Sequence, residues 1–186
     1  MNRKSLDWIE TYSGIKFFPL APKIEDINIV DIAHALSNIC RFNGHSSYFY
    51  SVAQHSVLVS LIAEKDNYSR EIQLQCLLHD AAECYFADIS SPVKKSIKNK
   101  IHPIETKLES IIAKKYGVLY PFSDKVKEMD LKALATEARF LEFKHIEDWK
   151  IIKNITPVLD LDFECLYPED SKKLFLYHFY KLIEGK

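Results

Sequence analysis

Residues 73–84 read QLQCLLHDAAEC, so the adjacent His79 and Asp80 sit inside an apolar, helix-patterned run. Two similar intrusions lie elsewhere: His55 in YSVAQHSVLVS and Asp130 in KVKEMDLKALATEA. An imidazole or a bare carboxylate in such surroundings is costly unless something inside the fold satisfies it. One divalent metal shared by all four side chains would do so. The fold must then draw three separate segments around one interior point. Glu83 and Asp88 follow the pair at short spacing, which adds proton-handling groups to a ligand set and points toward an enzyme.

The periodicity that frames these residues is helical throughout. Asp31 can cap a short helix through IAHALSNIC, which ends near RFNGHSS, where Asn43-Gly44 marks a turn. A second helix runs over about 50–65, with Val52, His55, Val59 and Ala63 on one side, and Asp66-Asn67 closes it. Tyr48, Phe49 and Tyr50 pack the start of that helix. Ser69 opens a helix over 70–86. Residues 86–100, with Pro92 among them, read as a polar loop. Helical patterning returns at 103–116 and stops at Gly117, and Ser123 or Asp124 starts another helix through roughly 144. The stretch 145–168 is irregular, and the tail SKKLFLYHFYKLI carries an aromatic helical stripe suited to a core or a subunit contact. In the first thirty residues Ser13-Gly14 forms a turn, and KFF at 16–18 makes a short strand or a wall against the core. The expected fold class is therefore all-α: one helical-bundle domain over 1–186 with irregular connecting loops. Its motif-bearing core spans about 30–142, and a C-terminal helical extension about 143–186.

Composition narrows the function classes. The 186 residues include 25 basic and 26 acidic side chains, for a formal charge of −1, so electrostatic binding to long nucleic acid is not indicated. Four glycines argue against a glycine-rich phosphate cradle or a turn-rich β architecture. Cys40, Cys76, Cys84 and Cys165 form no CxxC pair and read as reduced thiols of a cytoplasmic protein. The start MNRKSLDWIETYSG has no apolar stretch after its basic residues and does not fit a signal peptide. No run approaches the eighteen apolar residues of a membrane span.

On a helix, His79 and Glu83 stack on one face four residues apart, while Asp80 is rotated by about 100° and reaches the edge of the same cavity. Two imidazoles and two carboxylates give a mixed N/O set for one divalent metal: Mn²⁺, Co²⁺ or Fe²⁺, with Mg²⁺, Zn²⁺ and Ni²⁺ as further options. A closed structural zinc site is disfavoured, since no cysteine takes part in a zinc-finger spacing. Four protein ligands leave room for water and a substrate oxygen on an octahedral ion. By itself an HD dipeptide carries little weight.

The ensemble carries more. The stretches DIAHALSNICRFNGH, FYSVAQHSVLVS, LLHDAAECYFADISSPVK and MDLKALATEARF resemble the HD-domain phosphohydrolases over roughly residues 8–142. The likeness is greatest to the branch of the bacterial 5′-deoxynucleotidases and the phage dATP triphosphohydrolases. It implies one metal on His55, His79, Asp80 and Asp130, and a small-molecule nucleotide substrate. It implies Glu83 as the glutamate of the HDxxE pattern and Asp88 as the acid before the Pro-Val-Lys turn. It also implies substrate contacts from Arg41, Phe42 and Lys94, and self-association as a dimer or a higher symmetric ring. Where the deoxynucleotidases have Arg-Trp, this chain has Arg41-Phe42, which keeps a ring but not the indole.

The residue types allow these roles and some plainer ones. Glu83 can orient or deprotonate a metal-bound water, or hold a ligand in place. Asp88 can position water, serve the leaving oxygen, or cap the loop at DISS. Arg41 offers a rigid fork to phosphate, or to a buried carboxylate. Without the resemblance, Lys94, Lys95 and Lys98 read as solvated surface. His34 is a core hydrogen-bond donor or a substrate-pocket residue. The leading expectation is a metal-dependent deoxynucleotide phosphohydrolase of the 5′-deoxynucleotidase kind. The alternatives are a dATP or dNTP triphosphohydrolase and a noncatalytic metal- or nucleotide-binding regulatory domain.

Overall fold

The buried centre of the molecule is a helix with almost no solvent face. In a computed structural model that describes residues 7–185, helix α2 (Val52–Lys65) is buried at every position from Val52 through Ser60, and again at Ile62 and Ala63. Residues 1–6, on which the signal-peptide reading partly rests, lie outside the described residues. Ser51 starts α2 by accepting the Gln54 N–H at 3.2 Å, and Asp66-Asn67 ends it, with Asn67 at φ 59°. A helix apolar on every side must be wrapped. Helices α1 (Ile29–Asn38), α3 (Arg70–Leu78), α6 (Asp124–Phe140) and α7 (Pro168–Glu184) all pack on it. The expected all-α fold is what the structure shows. Among the described residues the exceptions are a minimal antiparallel hairpin, β1 (Ile9–Glu10) with β2 (Lys16–Phe17), and an isolated bridge between Cys40 and Ser51. Phe17 is both strand and wall: it pairs with Ile9 and stacks on Tyr85 with ring centroids 3.7 Å apart.

Four local expectations are corrected. Asn28, not Asp31, caps α1, accepting the Val30 N–H at 2.9 Å. Asp31 is buried in the first turn, where it takes the Ser13 N–H at 2.7 Å and the Ser13 hydroxyl at 2.8 Å and so ties the hairpin to α1. The helix predicted over 70–86 stops at Leu78. Asp80 leaves helical geometry at φ −97° and ψ 9°, and Ala81–Tyr85 is a separate 3-10 turn. The polar loop predicted at 86–100 contains α4 (Ser91–Ser96), with Pro92 in its first turn where a missing N–H is no loss, and the start of α5 (Lys98–Tyr116). The lysine-rich run is a solvated helix face rather than a loop. Helix α6 ends at Phe140, four residues earlier than its periodicity suggests, and the chain turns at Glu142 with φ 55°.

The C-terminal segment closes the main core. Phe175, Phe179 and Leu182 of α7 join Ile32, Leu36, Val57, Leu77 and Leu78 in one buried cluster, and α7 packs against α1, α2 and α3. Its opposite face leaves Tyr177, Tyr180 and Ile183 exposed. All four cysteines are free, and no helix among the described residues is long and apolar enough to cross a membrane.

Truncating Phe175, which is fully buried, to alanine removes a large ring from this core, and we expect a loss of about 3–5 kcal/mol in unfolding free energy. Hydrogen exchange should show α7 opening together with α2. Early exchange of α7 alone, at unchanged global stability, would contradict its place in the core.

Candidate metal centre

Helix α2 carries His55 to the middle of the molecule with no exposed surface. Its Nδ1 lies 2.5 Å from Glu137 Oε1. Its Nε2 is buried with no hydrogen-bond partner. His79, at the end of α3, is arranged in the same way: its Nδ1 meets the Cys76 carbonyl at 2.7 Å, and its Nε2 is buried without a partner. That carbonyl is one that a continuing helix would have bonded to the Asp80 N–H, so the break after Leu78 both frees the acceptor and orients the ring.

The two orphaned nitrogens face the same carboxylates. From His55 Nε2, Asp130 Oδ1 lies at 3.2 Å and Asp80 Oδ2 at 3.4 Å. From His79 Nε2, Asp80 Oδ2 lies at 3.2 Å and Asp130 Oδ1 at 4.0 Å. Ligand atoms of His55, His79 and Asp130 all fall within 4.8 Å of one another. Bonds of about 2.0–2.2 Å to a divalent ion place neighbouring ligand atoms about 3.0–3.5 Å apart, so the closer pairs are at that spacing already and the wider ones must draw in. Buried lone pairs without partners, beside carboxylates at coordination spacing, fit one divalent cation per subunit. The N/O donor set suits Mn²⁺, Fe²⁺, Co²⁺, Ni²⁺ or Zn²⁺ and leaves the choice among them open.

The electrostatics follow from burial and proximity. Burial and the Arg41 charge push the His55 imidazolium down, but Glu137 and Asp130 outweigh them and raise its pKa to about 9. Burial also opposes charge on His79, and Asp80 and Asp130 reverse it, so its pKa too is raised. Burial alone would raise the Asp80 and Asp130 carboxyls; His79 holds the first below the usual carboxylate range, and His55 the second. Glu83, on the 3-10 turn just past Asp80, behaves oppositely. Burial, then Asp80 and Asp88, lift its carboxyl to about 10, with Lys94 Nζ 3.9 Å away and Glu83 Oε2 unpartnered. Asp88 is half-buried and raised by the same burial. Because α3 has ended, Glu83 does not stack on His79 along one helix; the 3-10 turn sets its position instead.

The structure distributes the remaining predicted residues over two regions. The half-buried Arg41 donates from Nη2 to Glu137 Oε2 at 2.9 Å, the plainer of its two expected roles, and its buried Nε has no partner. Phe42 holds φ 53°, with the Arg41 guanidinium 5.2 Å from its ring centroid and Phe143 at 4.8 Å. Lys94 forms an ion pair with Glu105 and adjoins Glu83. His34 lies apart: it stacks on Tyr12 at 3.9 Å and lines, with Asp31 and Cys84, a cavity of about 340 Å³ whose lining includes none of the four metal-ligand candidates.

Glu137 was not singled out by sequence, although it has no exposed surface and meets His55, Arg41 and the Tyr50 hydroxyl, which donates to it at 3.1 Å. The signal was available. Glu137 lies seven residues after Asp130, two turns along the same helix, and so shares its face.

The raised histidines predict a linkage. A group whose folded pKa exceeds its unfolded value stabilises fully below the unfolded value, near 6.5, and loses that contribution as pH rises through the folded one. The metal-free protein should therefore lose thermal stability between pH 6.5 and about 9, where His55 deprotonates. Metal binding at pH 7 should expel at least one proton per ion, read by calorimetry in two buffers of different ionisation enthalpy. Binding without proton release would contradict the assignment of His55.

No family model matches the chain. Uncharacterized protein YfdR of Escherichia coli strain K12 is 37% identical to it over 179 residues, covering 96% of this chain and 97% of that protein. Uncharacterized protein RCAP_rcc00048 of Rhodobacter capsulatus is 32% identical over 161 residues, 82% of each chain. Identity of this order over most of each chain establishes that the chain belongs to the family of these two proteins.

Proposed function

We propose that the protein is a metal-dependent phosphohydrolase of the HD-domain class acting on deoxynucleotides, with 5′-deoxynucleotidase chemistry on nucleoside monophosphates as the leading activity. The observation behind this reading is the pair of buried, unpartnered Nε2 atoms of His55 and His79 beside Asp80 and Asp130. The likeness of the segments around those four residues to HD-domain phosphohydrolases supplies the reaction class. In this reading the motif-bearing core spans about 30–142 with a C-terminal extension over about 143–186, and the protein acts in the cytoplasm. The exposed face of α7, with Tyr177, Tyr180 and Ile183, is a candidate surface for a homodimer or ring.

His55, His79, Asp80 and Asp130 would hold a divalent cation, which would supply Lewis-acid polarisation of a phosphoryl oxygen and acidify water. The chain's own groups do the rest. Asp80 and Asp130 stay ionised at neutral pH, because both are held below the usual carboxylate range. Glu83 keeps its proton in the metal-free protein, and a cation nearby favours its release. It is therefore the group that holds and moves a proton in this site. Asp88, also raised by burial, shares the proton traffic on the leaving-group side. Arg41 is pinned through one nitrogen to Glu137, which fixes the plane of its fork for a phosphate oxygen. Phe42 next to it offers a ring to the nucleoside.

One observation favours triphosphate cleavage as the second reading. Lys94, Lys95, Lys98 and His102 line, with Glu105, a cavity of about 270 Å³, and Lys94 joins it to Glu83. Such cationic room suits the distal phosphates of a dNTP.

Incubating Mn²⁺- or Co²⁺-loaded protein with dAMP and with dATP distinguishes the readings. Inorganic phosphate from dAMP supports the nucleotidase. Tripolyphosphate and deoxyadenosine from dATP support the triphosphohydrolase. No turnover across nucleotides and metals rejects both and leaves a noncatalytic metal- or nucleotide-binding domain. Asp80→Ala should abolish turnover with the helical fold retained. Glu83→Gln should lower kcat by about 10²–10⁴-fold while KM changes little, the mark of a lost proton-transfer group. A rise in KM alone would assign Glu83 to substrate positioning instead.

A further inference from the structure

We infer that Glu137 is the positioning residue of the centre: it aims the His55 imidazole at the cation and holds Arg41 in register with it. This inference rests on the metal reading of the cluster and is independent of which phosphate ester is cleaved.

An imidazole has two nitrogens, and only the one with a free lone pair ligates. Glu137 Oε1 lies 2.5 Å from His55 Nδ1, inside the protein where neither side chain has exposed surface. An ionised carboxylate only accepts. Ionisation is secured on the other oxygen by Arg41 Nη2 at 2.9 Å, and the Tyr50 hydroxyl adds a further donor at 3.1 Å. In a ring that ligates a cation, Nδ1 must then carry the proton and the lone pair falls on Nε2, the atom found buried without a partner. His79 reaches the same tautomer by a cheaper route, donating to the Cys76 carbonyl. The two ligand histidines thus have different supports, one a neutral backbone acceptor and one a full negative charge. A charged acceptor raises imidazole basicity and strengthens coordination more than a neutral one.

The other oxygen gives Glu137 a second task. Arg41 sits in a 3-10 turn whose Phe42 and Asn43 both have positive φ, at 53° and 52°. Side chains in that region are strained and persist where surrounding contacts hold them. The ion pair with Glu137 is such a contact, anchoring the turn to α6. A single carboxylate therefore fixes the distance between a metal ligand and the guanidinium.

The test uses Zn²⁺ affinity and a proton resonance rather than turnover. Zn²⁺-loaded wild-type protein should show one exchange-protected, strongly downfield imidazole N–H, assigned to His55 Nδ1. Glu137→Gln should shift that resonance upfield and weaken Zn²⁺ binding by about 10- to 100-fold. Because the single variant leaves Arg41 buried without its counter-charge, the double variant Arg41→Gln/Glu137→Gln, which removes both charges together, is measured alongside it. We expect the same loss of affinity there. Tyr50→Phe removes another donor to the same carboxylate without touching His55 and should leave Zn²⁺ affinity near wild type. Unchanged affinity and an unchanged resonance in a folded Glu137 variant would overturn the inference, as would an equal loss in Tyr50→Phe. If the wild-type protein binds no Zn²⁺, Mn²⁺ or Co²⁺, the metal reading itself fails, a result distinct from loss in the variants alone.

Discussion

A histidine with no exposed surface, on a helix with almost none, is the constraint around which the rest of this molecule is arranged. His55 cannot turn either nitrogen to water, so both must be answered from inside the fold. Nδ1 is answered by Glu137 of α6, and that requirement fixes where α6 crosses α2. Glu137 cannot be buried alone either, and its charge draws in Arg41 and Tyr50 from the turn before α2. Each polar group buried for the centre thus recruits another element, and the chain of recruitment runs from α2 to α6 and back to the 41–50 segment. Only Nε2 remains unanswered, and it faces the same carboxylates as its counterpart on His79.

The break in α3 shows how local backbone geometry serves the same centre. Had the helix continued, Asp80 would project about 100° away from His79 around the axis. The chain instead leaves helical geometry at Asp80, and its Oδ2 comes within 3.2 Å of His79 Nε2 and 3.4 Å of His55 Nε2. The Cys76 carbonyl in the last turn of α3 meets His79 Nδ1 at 2.7 Å and so holds that ring beside the cluster.

Much of this was legible in the sequence, and what was not has a physical reason. Ser69, Ser123 and Gly117 bound their helices as their chemistry dictates. Polar residues in apolar segments marked His55, His79, Asp80 and Asp130, and the structure brings the four together around the buried His55 ring. Glu137 escaped for the opposite reason: between Thr136 and Ala138, before Arg139, it resembles any exposed glutamate near a helix end. Its burial is a tertiary fact, set by how α6 meets α2. The helix break after Leu78 escaped too, because LLHDAAE keeps helical periodicity through it and only the tertiary pull of the cluster ends the helix. The run at 91–100 misled in a third way, since lysines on a solvated helix and lysines in a loop have the same composition.

Charge accounting explains how one fold tolerates the centre both with and without a cation. Asp80, Asp130 and Glu137 are all held below the usual carboxylate range, and Arg41 neutralises one of them. Two negative charges are left over in the interior. In the metal-free protein the upward shifts of His55 and His79 answer them, because these carboxylates favour the charged form of both rings. A divalent cation held there by His55, His79, Asp80 and Asp130 would supply positive charge to the same carboxylates. Glu83 stands just outside this balance, kept neutral first by burial and then by the negative charges of Asp80 and Asp88. Positive charge placed at the Nε2 atoms would offset the repulsion from Asp80, so the ionisation of Glu83 is tied to the charge that His55, His79 and the two aspartates hold between them.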